Sequence, residues 1–162
     1  MYITSKLINA LIDGTLAALA VFIAGQTASP VWVIFISWLS YYLFGKSIKA
    51  ALNTYVLILL GMALAMMIVS ANHVLMPILG TKAIFIVVFV LIGSLTFIEG
   101  CKWFGNLAAY FMGLIIFFGT QKEVDIMTFI DLSIPLLTGL TIAWLAITLR
   151  TKVAARPKPS VF

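Results

Sequence analysis

Long uncharged stretches alternate with narrow polar zones along this chain. The stretches without Asp, Glu, Lys or Arg are residues 14–45, 50–81, 83–98, 103–121 and 132–149. A helix needs about 20 residues to cross roughly 30 Å of hydrocarbon, so uncharged runs of this length predict membrane spans. Strands of a membrane barrel would alternate polar and apolar residues, and this chain lacks that alternation.

We predict an all-α fold, a polytopic membrane bundle of six transmembrane helices in a single domain. The predicted spans are residues 7–25, 30–44, 49–71, 81–98, 104–118 and 127–149. Pro30 suits the start of the second helix, and Gly45 ends it. Asn72, His73 and Pro77 are predicted to break the chain after the third helix, which would place His73 in a loop outside the membrane.

Composition excludes most other classes of protein. The 162 residues are 64% hydrophobic and 9% charged, with a mean hydropathy of +1.20. A soluble domain carries about 25% charged residues. The net charge of +5 does not indicate nucleic-acid binding, because the basic residues are spread along loop ends. A single cysteine, Cys101, excludes an internal disulfide and a cysteine metal cluster, and we expect neither an enzyme nor a cofactor.

The distribution of lysine and arginine predicts the orientation in the membrane. One side would hold Lys6, Lys46, Lys49, Lys102, Arg150, Lys152, Arg156 and Lys158. The other side would hold only Lys82 and Lys122. Because the side richer in lysine and arginine faces the cytoplasm, both termini are predicted to be cytoplasmic, and residues 150–162 to form a basic cytoplasmic tail.

A short internal recurrence indicates a repeat of three spans. The Phe-Ile-x-Gly motif at 22–25 recurs at 97–100, and the Phe-Gly pair at 44–45 recurs at 118–119. The predicted halves are residues 1–75 and 76–149. Halves of three spans have opposite orientations, as in the inverted repeats of many transporters. Chance recurrence of abundant residues is the alternative.

The sixth span contains the densest group of polar and helix-breaking residues. Its solute-pathway candidates are Asp131, Ser133, Pro135, Thr138 and Thr141. Pro135 removes the hydrogen bond to the carbonyl of Asp131, and inside a membrane that carbonyl needs water, a side chain or a solute. We expect a bend or an opening from Asp131 to Gly139, with Thr138 or Thr141 facing a polar cavity. The alternative is an ordinary proline kink with hydroxyls bonded to their own helix.

Asp13 is the other acidic candidate for a solute pathway. Lys6 marks the predicted membrane boundary about two turns before it, and an acid within a span is a functional hypothesis by default. A position at the membrane interface is the alternative for both Asp13 and Asp131. We expect Asp13 to reach the solute space from the cytoplasmic side and Asp131 from the other side.

Two ridges of small residues predict close helix packing within or between subunits. One comprises Ala10, Gly14 and Ala18 on the first helix, and the other comprises Gly105, Ala109 and Gly113 on the fifth helix. A chain of this length makes a narrow bundle, so we expect these ridges to support a homo-oligomer.

The aromatic pattern of the second span, from Trp32 through Trp38 to Gly45, resembles an uncharacterised bacterial family. The same is true of Pro135 and Gly139 in the last span. This family is the domain of unknown function DUF1097, which includes YcdZ-like inner-membrane proteins, and the similarity covers nearly the whole chain. The resemblance implies a bacterial inner-membrane protein and supplies no functional residues.

These observations predict a channel or secondary transporter for a small neutral or weakly polar solute. The uncharged span interiors argue against stripping a strongly hydrated ion. The expected partners are the lipid bilayer, further copies of this chain and an unidentified small solute, and not nucleic acid. The alternative function is a non-transporting accessory or scaffold subunit of a membrane complex.

Overall fold

The computed structural model describes the backbone of residues 2–154 and the side chains of residues 5–153, and most of this part of the chain is helical. The α-helices are α1 (Tyr2–Gln26), α2 (Val31–Phe44), α3 (Ile48–Leu79), α4 (Ala83–Ser94), α5 (Leu107–Thr120) and α6 (Ile126–Ala154). Short 3₁₀ turns, Gly80–Lys82 and Leu95–Ile98, flank α4. No β-strand occurs within residues 2–154, and the predicted all-α class is confirmed for this part of the chain.

Three helical segments of the described chain are long and apolar enough to cross a membrane, which is consistent with a membrane protein. They are Ser5–Gln26, the continuous stretch Ile48–Ile98, and Ile126–Val153. The helices α2 and α5 have 14 residues each, fewer than the roughly 20 that a full crossing needs. The number of spans and the repeat therefore stay predictions.

The predicted break after the third span is wrong. Helix α3 runs without interruption through Asn72, His73 and Pro77 and ends at Leu79, so His73 lies in a helix. Asn and His lower helix propensity by less than about 1 kcal/mol each, and unpaired backbone groups in lipid would cost more. Pro77 removes one hydrogen bond within the last turn, and the chain then turns at Gly80, whose φ is +58°.

Local sequence explains the other helix ends. Pro30 precedes α2 with an extended backbone, and Gly45 follows it at φ +124°, a conformation that favours glycine. The side chain of Asn106 accepts a hydrogen bond from the amide of Ala109 at the start of α5. Gln121 ends that helix in the left-handed conformation.

The chain forms two compact units. Unit 1 comprises residues 1–50 and 135–162, and unit 2 comprises residues 51–134. Helix α3 lies almost entirely in unit 2, and α6 contributes residues to both units. Residues 155–162, most of the predicted cytoplasmic tail, lie outside the described residues.

Unit 1 packs α1, α2 and the second part of α6. Helix α1 buries Leu16, Ala20 and Ala24, which recur every fourth residue and form one stripe, and α1 packs against α2. Helix α2 meets α6 at Gly139, where an added Cβ would lie 2.7 Å from the Cβ of Ser37. Glycine at this position therefore permits the two backbones to approach closely.

Unit 2 depends on a similar contact between α3 and α5. A Cβ at Gly61 would lie 2.8 Å from the carbonyl carbon of Tyr110, and a Cβ at Gly113 would lie 2.6 Å from the amide nitrogen of Met62. Real Cβ atoms essentially never approach backbone atoms this closely. Each helix thus presents a glycine to the backbone of the other.

Candidate functional site

An ion pair joins the two ends of the chain within unit 1. Arg150, one turn before the end of α6, contacts the carboxylate of Asp13 on α1 through its Nη2 atom. The two side chains are 33% and 34% exposed. Asp13 was predicted to lie within the first membrane span. Arg150 was counted only among the basic residues that indicate orientation in the membrane, and no contact with Asp13 was predicted.

A shallow, open surface cavity of about 340 Å³ lies beside this pair. It is lined by Asp13, Ala17, Phe35, Trp38, Tyr42 and Arg150. The aromatic members are spaced three and four residues apart on α2 and so share one helix face, with the rings of Phe35 and Trp38 6.5 Å apart. Lys46 places its Nζ 5.6 Å from the centre of the Tyr42 ring, a cation–π distance.

The ion pair leaves hydrogen-bonding capacity unused. Asp13 Oδ1 and Arg150 Nε are both buried, and neither has a hydrogen-bond partner within the described part of the chain. A buried donor or acceptor without a partner is costly. The pair therefore contains one acceptor and one donor that the surrounding described residues leave unsatisfied.

Helix α6 is continuous through Pro135, and nearby carbonyls accept hydrogen bonds from other helices. In unit 1, the hydroxyl of Ser37 on α2 donates to the carbonyl of Leu136. In unit 2, the hydroxyl of Tyr55 on α3 donates to the carbonyl of Ser133 at 3.4 Å. Hydroxyl groups of neighbouring helices thus donate hydrogen bonds to one carbonyl before the buried Pro135 and to one after it.

Two of the predicted hydroxyl candidates bond within their own helix. Ser133 Oγ donates to the carbonyl of Ile130 at 2.7 Å, and Thr141 Oγ1 donates to the carbonyl of Leu137 at 2.9 Å. Thr141 is exposed and Thr138 is half-buried. None of these three residues lines the cavity beside Asp13, so the structure groups Asp13 with Arg150 and the α2 aromatics rather than with the sixth-helix hydroxyls.

Replacing Ser37 by alanine should destabilise the protein by about 0.5–1.5 kcal/mol, because the carbonyl of Leu136 loses its partner from α2. Ser40→Ala is the matched control. Ser40 is equally buried on the same helix, but its hydroxyl donates to the carbonyl of Ser37 on its own helix. Thermal unfolding in detergent measures both variants, and equal melting temperatures would show that the interhelical bond adds no stability.

Asp131 belongs to a separate, exposed ion pair in unit 2. Its Oδ2 atom lies 3.5 Å from Nζ of Lys122, and the side chains are 54% and 44% exposed. A polar cavity of about 430 Å³ also lies in unit 2, lined by Val69, Ser70, His73, Gln121, Lys122, Glu123 and Val124. Asp131 does not line it.

The two predicted ridges of small residues differ in their surroundings. On α1, Ala10, Gly14 and Ala18 are exposed, and an added Cβ at Gly14 would meet no atom within 4 Å. On α5, Ala109 is fully buried, and Gly113 packs on α3. Gly105 is not part of that helical ridge, because α5 begins at Leu107. A Cβ at Gly105 would instead meet the carbonyl of Cys101 at 2.7 Å in the preceding turn.

Sequence reasoning identified Asp13 but not its partner or the cavity. A pairing between the first and last helices depends on tertiary packing and leaves no local pattern. The three-and-four spacing of Phe35, Trp38 and Tyr42 was the available signal, since it defines one aromatic helix face.

Comparison with known proteins gives a family and no named activity. The chain matches the family described as "Protein of unknown function (DUF1097)" over residues 10–151. No curated protein matches the chain, and no solved structure matches it. The match covers most of the sequence, including Asp13, Arg150 and the whole of α2. The chain therefore belongs to the DUF1097 family.

Proposed function

We propose that this protein is a channel or secondary transporter for a small neutral or weakly polar solute. The observation that carries the proposal is the Asp13–Arg150 pair beside an aromatic-lined cavity. Ionisable residues within a membrane are costly and commonly mark solute or ion pathways. A paired acid and base also add no net charge, which suits a solute without strong charge.

The proposed setting is a bacterial inner membrane, crossed six times with both termini in the cytoplasm. In this arrangement Asp13 lies about two turns inside the cytoplasmic boundary marked by Lys6. Arg150 lies near the cytoplasmic end of the last span, and its long side chain reaches Asp13. The recurrence of the Phe-Ile-x-Gly motif supports two inverted halves of three spans each.

The flux of small solutes into proteoliposomes tests the transport function. Wild-type protein should accelerate entry of at least one small neutral solute, and Asp13→Asn should reduce that flux about tenfold, since loss of a charge-assisted contact of about 1.5 kcal/mol corresponds to that factor. Asp131→Asn is the control acid and should leave flux within about twofold. Thr138→Val tests whether the sixth helix contributes to the same pathway.

We also propose that α1 supports a homo-oligomer through Ala10, Gly14 and Ala18. These small residues are exposed in the single chain, and small-residue ridges allow close helix approach in lipid. Gly14→Leu should convert the assembly to monomers in mild detergent, as measured by light scattering. A wild-type protein that is already monomeric in several mild detergents would contradict the proposal.

The alternative is an accessory or scaffold subunit of a larger membrane complex. The observation that favours it is the bonding of Ser133 and Thr141 to their own helix, which leaves these hydroxyls no evident role in a solute pathway. An accessory subunit would show no flux of its own across a broad screen of neutral solutes, protons and small anions, and its Asp13→Asn variant would lose assembly rather than flux.

A further inference from the structure

We propose that the polar cavity of unit 2 binds a small polyol. This inference rests on the proposed transport function and names the class of neutral solute that the protein recognises. It depends on three observations: the mixture of hydrogen-bonding groups that line the cavity, the small number of contacts that these groups make within the described chain, and the backbone conformation of Gln121.

The cavity combines hydrogen-bonding groups from α3 with others from the turn between α5 and α6. Ser70 and His73 lie about one turn apart on α3, and Gln121, Lys122 and Glu123 directly follow α5. Together these side chains present a hydroxyl, an imidazole, an amide, an ammonium and a carboxylate. The set includes both donors and acceptors, and all five residues are exposed, so a solute can reach them.

Most of these groups are available to a solute. Within the described residues, no hydrogen bond or ion pair engages the side chains of Ser70, His73, Gln121 and Glu123. Lys122 differs, because its ammonium lies 3.5 Å from the carboxylate of Asp131. An anionic solute would compete with that carboxylate for Lys122, and a cationic solute would meet the same ammonium next to Glu123. The cavity therefore favours a solute without net charge.

A polyol fits this mixture of groups. Each of its hydroxyls donates one hydrogen bond and accepts up to two, so neighbouring hydroxyls can pair with an amide, a carboxylate and an imidazole. Its carbon chain can pack on Val69 and Val124, which also line the cavity. The volume of about 430 Å³ lies within the usual range for ligand pockets, about 300–1,000 Å³, and admits a molecule of about four carbon atoms.

The backbone of Gln121 supports a binding role independently of the lining. Its φ of +52° lies in the left-handed region, where glycine is favoured and most other residues are uncommon. Residues held in such conformations are concentrated at functional sites. A glycine at this position would end α5 with less strain, but it would remove the amide from the cavity.

The single histidine of the chain reports binding at this cavity. The imidazole signals of the full chain in detergent, labelled with ¹⁵N-histidine, are followed by NMR at constant pH during titration with four-carbon ligands. We expect saturable shifts with erythritol, weaker binding of 1,4-butanediol, and the weakest binding of 4-aminobutanoate and 1,4-diaminobutane. No shift with erythritol, equal binding of the diol, or tightest binding of a charged ligand would overturn the proposal.

Gln121→Gly separates a loss of binding from a loss of folding. It should weaken erythritol binding about three- to tenfold, as expected for the loss of one hydrogen-bonding group, while the melting temperature stays equal or rises because the backbone strain is relieved. Ser70→Ala, which removes the exposed hydroxyl on α3, should also weaken binding. Wild-type affinity in both variants would overturn the assignment to this cavity.

Ala28→Gly is the matched control. Ala28 also has a positive φ, +49°, but it lies in the turn after α1 and does not line the cavity. The control should leave erythritol binding unchanged. If Ala28→Gly weakened binding as much as Gln121→Gly, the effect would arise from the backbone change and not from the amide, and the proposal would be wrong.

The flux assay separates failure of this inference from failure of the transport proposal. If wild-type proteoliposomes pass a neutral solute and erythritol does not shift the His73 signals, the polyol inference fails and the transport proposal stands. If erythritol binds and no solute in the screen passes, the transport proposal fails, and with it the assignment of polyols as the transported solutes.

Discussion

Gly113→Leu is expected to be among the most destabilising single changes in this protein, by about 3 kcal/mol or more. The added side chain would meet backbone atoms of α3, with its Cβ 2.6 Å from the amide nitrogen of Met62 and 2.7 Å from the carbonyl carbon of Gly61. Backbone cannot rotate away as a flexible side chain does, so α5 must separate from α3 and lose its packing. The readout is the fraction of folded protein that survives stepwise heating in detergent before gel filtration.

Gly93→Leu is the matched control for this experiment. Gly93 also lies in a helix of unit 2, but an added Cβ there would meet nothing within 4 Å. Leucine has the higher helix propensity, so this variant should melt at or slightly above the wild-type temperature. If Gly113→Leu and Gly93→Leu melted together, the close contact between α3 and α5 would be refuted.

Asp13→Lys should destabilise the protein by about 2 kcal/mol and abolish any flux that depends on the cavity. The substitution places two cations together where Arg150 now contacts a carboxylate. The expected cost lies between that of breaking an exposed pair and that of breaking a buried one, because both side chains are about one third exposed. Chemical unfolding in mixed micelles measures the stability, and the liposome assay measures the flux.

Two further variants identify the cause of that loss. Asp131→Lys reverses an acid whose pair with Lys122 is about half exposed, and it should cost less than about 1 kcal/mol. Exchanging the charges in the double variant Asp13→Arg and Arg150→Asp should recover part of the stability lost in Asp13→Lys. A double variant that is no more stable than the single variant would mean that the two residues do not interact.

The sequence predicted the helical segments but not the contacts between helices. Charge-free runs indicated the helical segments, because an apolar backbone must satisfy its own hydrogen bonds. The same reasoning predicts that α3 continues through Asn72, His73 and Pro77. The low helix propensity of these residues costs less free energy than leaving backbone groups without hydrogen bonds in lipid. The predicted repeat rests on the sequence alone and stays a prediction.

The packing ridges show where a sequence pattern is ambiguous. The spacing of Ala10, Gly14 and Ala18 equals that of the α5 ridge, yet Gly14 is open whereas Gly113 contacts α3. Small residues permit close approach but do not specify a partner. Gly61, which completes the α3–α5 contact, was missed, although Gly61 and Ala65 have the same four-residue spacing of small residues.

By itself, the sequence determined that this chain is helical, that its long apolar segments suit a membrane, and that Asp13 is an unusual acid within such a segment. These properties depend on hydrophobicity and charge over about 20 consecutive residues, a length that local sequence contains. Only the tertiary structure decided that Arg150 pairs with Asp13, that an aromatic face of α2 lines the cavity beside them, and that Ser37 supplies a partner for the carbonyl of Leu136. Each of these contacts joins residues from different helices. Such contacts depend on how side chains pack between helices, and the sequence of a single helix does not specify this packing.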